Sequence, residues 1–338
     1  MHPYLRYALR YVHSRFVTGR PIILTHALTH RCNSRCRICD IWRSPPNGRE
    51  MTTGEVEAML DEAWRQNFVA YVALGGEPML RGDTPEILAH AKARGFYTSL
   101  ITNGTNLADK AGEIVPSTDL IWVSIDHDTP RHDEMRGREG ALEDAVAGIR
   151  EVRRHGGRAR INCVLSAMNP DAPERMARLA AKLGVRVAYD PMEVFPGNEE
   201  HALTPETRAA AFREVLRLKE AGYPILNSHE FIEQQIAPRR YRCAQPRVFL
   251  KVEEDGGIHP FWCPSGGDYN WSLRKQGLGE ILSSDGWRDF AKRAEGCSRC
   301  SNSSTFECSA FYDAQRFAAN FYKPRNPYFR FIEEFGYR

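Results

Sequence analysis

Between residues 22 and 221, short apolar runs alternate with longer stretches in which apolar residues recur at helical spacing. This alternation predicts β-strands that are each followed by an α-helix, and hence a parallel sheet. The predicted strands are residues 22–28, 70–74, 97–102, 120–125, 160–165 and 186–189. The predicted helices are residues 53–66, 85–94, 107–115, 141–154, 173–183 and 205–221. Six such units predict an α/β fold.

The start of the chain has a different pattern. Apolar residues recur at helical spacing at Leu5, Ala8, Leu9, Val12 and Phe16, which predicts an amphipathic helix within residues 1–20. Residues 1–39 contain no Asp or Glu but several arginines, namely Arg6, Arg10, Arg15, Arg20, Arg31, Arg35 and Arg37. Such a basic helix either lies on an anionic membrane surface or packs against the main domain with its arginines in solvent. We favour the second placement and leave a peripheral membrane contact open.

The alternation stops after Gly222, and a smaller unit follows. Two short apolar runs, residues 248–253 and 258–262, flank Asp255, Gly256 and Gly257 and predict a β-hairpin. A further helix is predicted near residues 287–294. The pattern divides the chain into residues 1–20, the strand-and-helix unit 21–225, a cysteine-rich unit 226–310 and a tail 311–338.

The tail is rich in aromatic side chains, which are Phe311, Tyr312, Phe317, Phe321, Tyr322, Tyr328, Phe329, Phe331 and Phe335. A segment of this composition predicts burial over one opening of the main domain. Its alternative is an apolar channel for a long-chain substrate. Together with the basic aromatic N-terminus, that alternative keeps a lipid among the candidate substrates.

Composition excludes several classes of protein. Of the 338 residues, 42% are hydrophobic and 26% are charged, which is typical of a soluble globular protein. No apolar run approaches the roughly 20 residues that span a bilayer, and no export signal opens the chain, so we expect a cytoplasmic protein. The net charge of +3 is too small to indicate a nucleic-acid partner. In this setting the nine cysteines indicate metal binding rather than disulfides.

Three of the cysteines stand together at the end of the first predicted strand. Cys32, Cys36 and Cys39 form a C-x3-C-x2-C loop that can direct three thiolates to one site. Soft thiolates suit iron-sulfur clusters or zinc. A structural zinc site normally takes a fourth protein ligand, and so does a cluster held wholly by protein. The spacing therefore predicts a metal centre with one open coordination position.

This loop resembles the cluster loop of the radical S-adenosylmethionine (radical SAM) enzymes. The resemblance implies a partial (β/α)6 barrel in which Cys32, Cys36 and Cys39 hold a [4Fe-4S] cluster whose open iron binds SAM. It also implies that the reduced cluster cleaves SAM to a 5′-deoxyadenosyl radical, which abstracts a hydrogen atom from a substrate. An electron donor such as ferredoxin or flavodoxin would be required. The chain departs from the family at Ile38, where an aromatic residue is common.

Further strand ends carry the same resemblance. The sequence Gly75-Gly76-Glu77-Pro78 follows the second predicted strand, and its glycines allow the backbone to approach a ligand closely. It resembles the family element that holds the SAM amino group. By the same resemblance, polar residues on or just after the next strands are expected to contact the nucleoside side of SAM. They are Asn103, Ser124, Asp126 and Asn162, with Ser124 and Asp126 expected at the ribose. Each of these residues is also common in ordinary turns and helix caps.

The cysteine-rich unit predicts a second metal centre. Its cysteines flank the predicted hairpin or form a C-x2-C pair, and the proposed ligands are Cys243, Cys263, Cys297 and Cys300. Spacing alone does not separate zinc from iron. The arrangement resembles the Twitch or SPASM appendage of some radical SAM enzymes, which implies one auxiliary [4Fe-4S] cluster. Cys308 is a spare ligand or an apolar residue, and Cys163 is predicted to lie in the core.

The reaction itself is not specified by these motifs. The resemblance implies an oxidation or a new carbon-carbon or carbon-sulfur bond on a peptide, lipid or small-molecule substrate. Candidate residues for proton transfer are Asp190, Glu193, His229 and His259. The competing hypothesis is a zinc-stabilised binding protein with a vestigial SAM site.

Overall fold

The computed structural model describes residues 3–259, 270–297, 302–310 and 312–313. The strands are Ile23–Ala27 (β1), Ala70–Leu74 (β2), Tyr97–Thr102 (β3), Leu120–Ser124 (β4), Ala159–Leu165 (β5), Arg186–Pro191 (β6), Phe249–Val252 (β7), Gly257–His259 (β8) and Trp271–Ser272 (β9). The helices are Pro3–His13 (α1), Thr53–Arg65 (α2), Thr84–Arg94 (α3), Leu107–Ile114 (α4), Arg131–Arg136 (α5), Ala141–Arg154 (α6), Ala172–Leu183 (α7), Pro205–Glu220 (α8), His229–Ile236 (α9), Gln245–Val248 (α10), Leu278–Ser283 (α11), Asp285–Glu295 (α12) and Ser303–Ala310 (α13).

The described strands form one sheet in the order β6-β5-β4-β3-β2-β1-β7-β8-β9. All pairs among strands β1 to β7 are parallel. The pairs β7–β8 and β8–β9 are antiparallel. Because β6 and β9 do not pair with each other, the barrel is open. The carboxyl ends of the parallel strands share one rim, where parallel barrels carry their chemistry. The predicted partial (β/α)6 barrel is confirmed.

Local sequence signals explain why the predicted helices begin where they do. Thr52 accepts a hydrogen bond from the backbone N–H of Glu55, whose side chain accepts from the N–H of Thr52, so α2 opens with a capping box. Thr204 caps α8 by accepting a hydrogen bond from the backbone N–H of Thr207, and Pro205 occupies the first turn, where its missing N–H costs nothing. All six strands and six helices of the main unit agree with prediction to within two residues at each end.

Alternate residues of the strands point into the barrel or out toward the helices. Outward side chains such as Leu24, Tyr71 and Leu100 are fully buried in the main hydrophobic core. On the inner face, Thr25 of β1 lies in register with Val72 of β2 and with Lys251 of β7. The interior is therefore lined by polar as well as apolar side chains, which is unlike the filled interior of a purely structural barrel.

The N-terminal helix α1 packs in the orientation opposite to the favoured one. Arg10 faces the barrel, with its guanidinium 3.6 Å from the ring centroid of Trp64 and 2.6 Å from the Trp64 carbonyl oxygen. Leu5 and Leu9 are each 53% exposed and Phe16 is 73% exposed. The expectation of arginines in solvent was wrong, because the last carbonyl groups of α2 need donors and a planar guanidinium both supplies them and stacks on an indole.

The sequence patterns did not predict every element, and those they missed are α5, α9, α10, α11, α13 and β9. Helix α5 has no apolar periodicity that would predict it. The predicted hairpin exists as β7 and β8, but β7 also pairs in parallel with β1 and so continues the barrel sheet. The proposed division of the chain at residue 225 stays a prediction.

None of the helices in the described part of the chain combines the length and apolar character needed to cross a membrane.

Candidate functional site

The cysteine loop, residues 31–42, leaves the carboxyl end of β1 and is clasped by the turn that follows β2. The N–H of Gly76 donates to the carbonyl oxygen of Thr29 at 2.8 Å, and the N–H of Glu77 donates to that of Arg31 at 2.8 Å. A Cβ on Gly76 would overlap the Arg31 carbonyl group, and one on Gly75, whose φ is +133°, would lie 2.6 Å from the Thr29 carbonyl oxygen. The approach of these two segments therefore requires both glycines.

Glu77 joins the ends of β2 and β3 from a fully buried position. Its carboxylate accepts hydrogen bonds from the Thr102 hydroxyl at 2.7 Å, the Asn103 N–H at 2.7 Å and the Met79 N–H at 3.0 Å. Burial raises the pKa of this carboxyl above its ordinary value, and these donors oppose the rise. Glu77 thus holds the rim together, and its predicted contact with SAM stays a prediction.

Asn103 extends this network into the cysteine loop itself. Its side-chain N–H group donates to Asn33 Oδ1 at 2.8 Å and to Ser34 Oγ at 3.2 Å. Its side-chain oxygen accepts from the N–H of Thr105 at 2.9 Å. Two of the residues between the first two cysteines, Asn33 and Ser34, are consequently fixed to the end of β3.

Helix α5 supports the other side of the loop. The N–H groups of Arg35 and Arg37 donate to the carbonyl oxygens of Arg136 and Met135, both at 2.9 Å. The Arg136 side chain is 12% exposed and lies 2.7 Å from Asp126 Oδ2. Burial lowers the pKa of this guanidinium, but Asp126 and the Cys36 and Cys39 thiols raise it, and the net shift is upward. A permanent positive charge therefore lies beside the cysteines, and no sequence motif had pointed to it.

The three cysteines of the loop are all free thiols. Cys36 is buried and its carbonyl oxygen accepts from Trp42 Nε1 at 2.9 Å. Burial raises the pKa of the Cys32 thiol. It also raises the pKa of the Cys39 thiol, to about 11, and in both cases the neighbouring Cys36 adds to the rise. The loop thus brings three thiols together next to a buried cation.

The donor set fits a cluster better than a single ion. Within the described ranges, no three His, Cys, Asp or Glu side chains form a group that could hold a metal ion. A cubane cluster takes each thiolate on a different iron, so its ligands do not converge on one point as the ligands of zinc do. A loop that supplies three thiols matches a [4Fe-4S] cluster with one open iron.

A cavity of about 510 Å³ opens beside the loop and continues into the barrel. Asp40 and Ile41 of the loop and Gly75 and Gly76 of the clasping turn line its rim. Its inner wall consists of strand residues from across the sheet, including Thr25, Val72, Ser99, Trp122, Asn162, Asp190 and Lys251. A molecule held at the loop would therefore face the interior of the barrel.

The other residues predicted to contact the nucleoside of SAM lie partly on the cavity wall and partly in the core. Asn162 lines the cavity, and Ser124 is its register neighbour on β4. Asp126 is fully buried, where its carboxylate accepts from the Val164 N–H at 2.9 Å and pairs with Arg136. The contacts of Asn103, Ser124, Asp126 and Asn162 with SAM stay predictions.

Two acidic groups lie at or near the cavity. Asp190 lines the cavity and accepts from the N–H of Ser303 at 2.8 Å. Burial raises the pKa of Asp190, and burial together with Asp190 raises the pKa of Glu193 to about 7. Glu193 is thus able to carry a proton near neutral pH. Of the other proton-transfer candidates, His229 is exposed at the start of α9, and the side chain of His259 is outside the described residues.

The second cysteine set is only partly described. Cys243 and Cys297 are buried, and burial raises the pKa of the Cys308 thiol to about 12. Cys263 and Cys300 lie outside the described residues, so the predicted four-cysteine centre stays a prediction. Cys163 is fully buried in the main core, as expected.

Comparison with known proteins agrees with this geometry. A family profile described as the radical SAM superfamily matches residues 27–183, which run from the end of β1 to the end of α7 and include the cysteine loop, the glycine turn and α5. This part of the chain belongs to the radical SAM superfamily. The radical SAM fold implies a [4Fe-4S] cluster and bound SAM.

Relatives extend the similarity beyond the radical SAM domain. Pre-heme d1 synthase of Dinoroseobacter shibae is 28% identical over 222 residues, covering 62% of this chain and 54% of the relative. PqqA peptide cyclase of Xanthomonas campestris is 31% identical over 172 residues, covering 48% of this chain and 45% of the relative. The chain thus spans about half the length of these relatives. Streptococcus suis SuiB, solved with S-adenosylmethionine, shares the fold with a TM-score of 0.68 at 14% identity, covering 85% of this chain and 74% of SuiB.

Proposed function

We propose that this radical SAM protein cleaves SAM reductively and removes a hydrogen atom from a substrate bound in the barrel cavity. The observation that carries the proposal is the three-cysteine loop, clasped at the barrel rim and opening onto a cavity of about 510 Å³. When bound, the cluster and SAM supply a one-electron reduction and a carbon-centred radical. The protein would position SAM and the substrate, balance the charge of the cluster and exclude water from the cavity.

Each side of the loop has a separate task in this proposal. Cys32, Cys36 and Cys39 would hold the cluster, and Arg136 would compensate the negative charge of the thiolates. Gly75 and Gly76 line the cavity beside the loop, where SAM would bind. Ser124 and Asn162, on the adjacent inner face, would meet its nucleoside.

The substrate would bind in the cavity beside Asp190, which lines it. Burial raises the pKa of Asp190 and of the neighbouring Glu193, so either could give or take a proton as the product forms. The printed names of relatives include a heme-related synthase and a peptide cyclase. We keep a peptide, a lipid or a small molecule as substrate classes, with an oxidation or a new carbon-carbon or carbon-sulfur bond as the outcome.

A second electron has to leave the substrate in such an oxidation. We propose that Cys243, Cys263, Cys297 and Cys300 hold an auxiliary [4Fe-4S] cluster that accepts it. The first reduction needs an external donor such as ferredoxin or flavodoxin, which is consistent with a cytoplasmic protein.

The test is anaerobic reconstitution followed by iron and sulfide analysis and a search for 5′-deoxyadenosine after adding SAM and dithionite. The wild type should bind about eight irons per chain and release 5′-deoxyadenosine. Cys36→Ala should lose about four irons and the nucleoside. Cys163→Ala, which removes a core thiol that is not a proposed ligand, should retain both.

The possible failures have distinct meanings. About four irons in the wild type, with the nucleoside still formed, would remove the auxiliary cluster alone. Zinc in place of iron and no nucleoside would overturn the proposal and support a metal-stabilised binding protein.

A further inference from the structure

The outer face of the N-terminal segment is an exposed apolar stripe. It consists of Leu5, Leu9, Val12, Phe16 and Val17, which are between 48% and 73% exposed. These are five of the six large hydrophobic side chains that are exposed in the described part of the chain. Isolated exposed apolar residues are ordinary, but their concentration on one helical face marks an interaction surface.

The stripe cannot turn inward without breaking the attachment of α1. Beneath it, Arg10 donates to the carbonyl oxygens of Trp64 and Phe68, and the Tyr7 hydroxyl donates to that of Gly95 at 2.9 Å. Ser14 and Arg15 are fixed in turn by Tyr312. The barrel therefore holds the segment with its polar side inward and presents the apolar side outward.

The charge around the stripe indicates which partner it meets. Residues 1–39 contain no acidic residue, and helical spacing places Arg6 and Arg15 on opposite flanks of the stripe. The segment thus carries positive charge and no negative charge, which favours a surface rich in anionic groups.

We propose that the stripe binds an anionic lipid bilayer, with α1 lying in the plane of the interface. Helix α1 and the π-helical turn Ser14–Thr18 that continues it form one segment of about 24 Å whose exposed side chains are mostly apolar. An interfacial helix of this kind inserts its apolar face into the acyl boundary, and the positive charge of the segment favours anionic headgroups. The proposal does not depend on the SAM chemistry.

Co-sedimentation of the full chain with vesicles tests this proposal. The wild type should sediment with vesicles of phosphatidylcholine mixed with phosphatidylglycerol, bind less to pure phosphatidylcholine, and release as salt is raised. Leu9→Glu and Phe16→Glu should each weaken binding by about tenfold or more. Val194→Glu is the matched control, because Val194 is the sixth exposed apolar side chain, 58% exposed and outside the stripe.

Each other result contradicts the proposal. A wild type that stays in the supernatant would show that the stripe does not bind lipid. Equal loss in Val194→Glu would show that binding is non-specific. A wild-type dimer that Phe16→Glu converts to a monomer, without lipid binding, would assign the stripe to a second copy. Circular dichroism of every variant checks that the fold is intact.

Discussion

The Arg136 guanidinium lies 2.7 Å from the Asp126 carboxylate, and the backbone of the same arginine accepts a hydrogen bond from Arg35 in the cysteine loop. One residue therefore connects the end of β4, helix α5 and the proposed cluster ligands. A Cβ on the next residue, Gly137, would lie 2.5 Å from the Arg35 carbonyl oxygen, so the loop and helix are in close contact along this edge. The position of the cysteines depends on this contact as much as on their spacing.

Removing the charge of Arg136 should affect stability and cluster content together. Arg136→Met leaves the Asp126 carboxylate buried without its cationic partner, which should lower the free energy of unfolding by about 3 kcal/mol. Arg136→Lys keeps the charge and should lose less. Urea unfolding of the apoprotein and iron content after reconstitution measure the two effects.

A double variant separates the pair from the general loss of packing. Asp126→Asn combined with Arg136→Met removes both charges, so its unfolding free energy should exceed that of Arg136→Met alone. A double variant as unstable as the sum of the two single variants would mean that no ion pair stabilises this site.

The glycine turn provides a steric prediction. Gly76→Ala inserts a methyl group into the Arg31 carbonyl, so the cysteine loop has to move, at a cost of about 1–3 kcal/mol and with loss of bound iron. Gly82→Ala is the control, since nothing lies within 4 Å of its added Cβ. Iron analysis and thermal melting of both variants check the prediction. Normal iron binding by Gly76→Ala would show that the loop tolerates the displacement.

The main sheet could be predicted because its signals are local. Alternating periodicity and helix caps define β1 to β6 and the helices between them, and the cysteine and glycine motifs fall at the ends of consecutive parallel strands. Parallel topology then brings those ends to one rim. Asn162 could be placed on the cavity wall for the same reason.

Other parts of the site depend on contacts between distant residues, which no single segment encodes. Arg136 looks like one more charge on a polar helix until Asp126 and Cys36 are brought beside it. The orientation of α1 was mispredicted because the apolar stripe suggested burial, whereas Trp64 and the exposed carbonyls at the end of α2 bind its arginines more specifically. The pairing of β7 with β1 is likewise set by the fold as a whole.

Glu307 should make stability depend on pH. It is a buried carboxyl of α13 that accepts from the Ser228 N–H at 2.9 Å, and burial raises its pKa to about 7. The folded chain therefore holds this proton more tightly than the unfolded chain does. Its contribution to stability is complete below the ordinary pKa of a glutamate and is lost as the pH rises through about 7.

Glu307→Gln tests this dependence, because the amide keeps the shape without titrating. The variant should lose less stability than the wild type between about pH 5 and pH 8, as measured by urea midpoints. Glu200→Gln, at a side chain that is 80% exposed, should follow the wild type. Parallel pH profiles for Glu307→Gln and the wild type would exclude Glu307 as the titrating group.

The attachment of α1 to the barrel should depend on Arg10 in particular. Arg10→Ala removes two hydrogen bonds to carbonyl groups and the stacking on Trp64, and should lower the unfolding free energy by about 2 kcal/mol. Arg10→Lys should recover little, because an ammonium group cannot stack on the indole and reach both carbonyl oxygens in the same geometry. Arg65→Ala, at an exposed position on the last turn of α2, should change stability by less than about 0.5 kcal/mol. Chemical denaturation, together with limited proteolysis near residue 20, measures whether α1 has detached. If Arg10→Ala matched Arg65→Ala in both assays, the exposed stripe would owe its orientation to contacts other than those of Arg10.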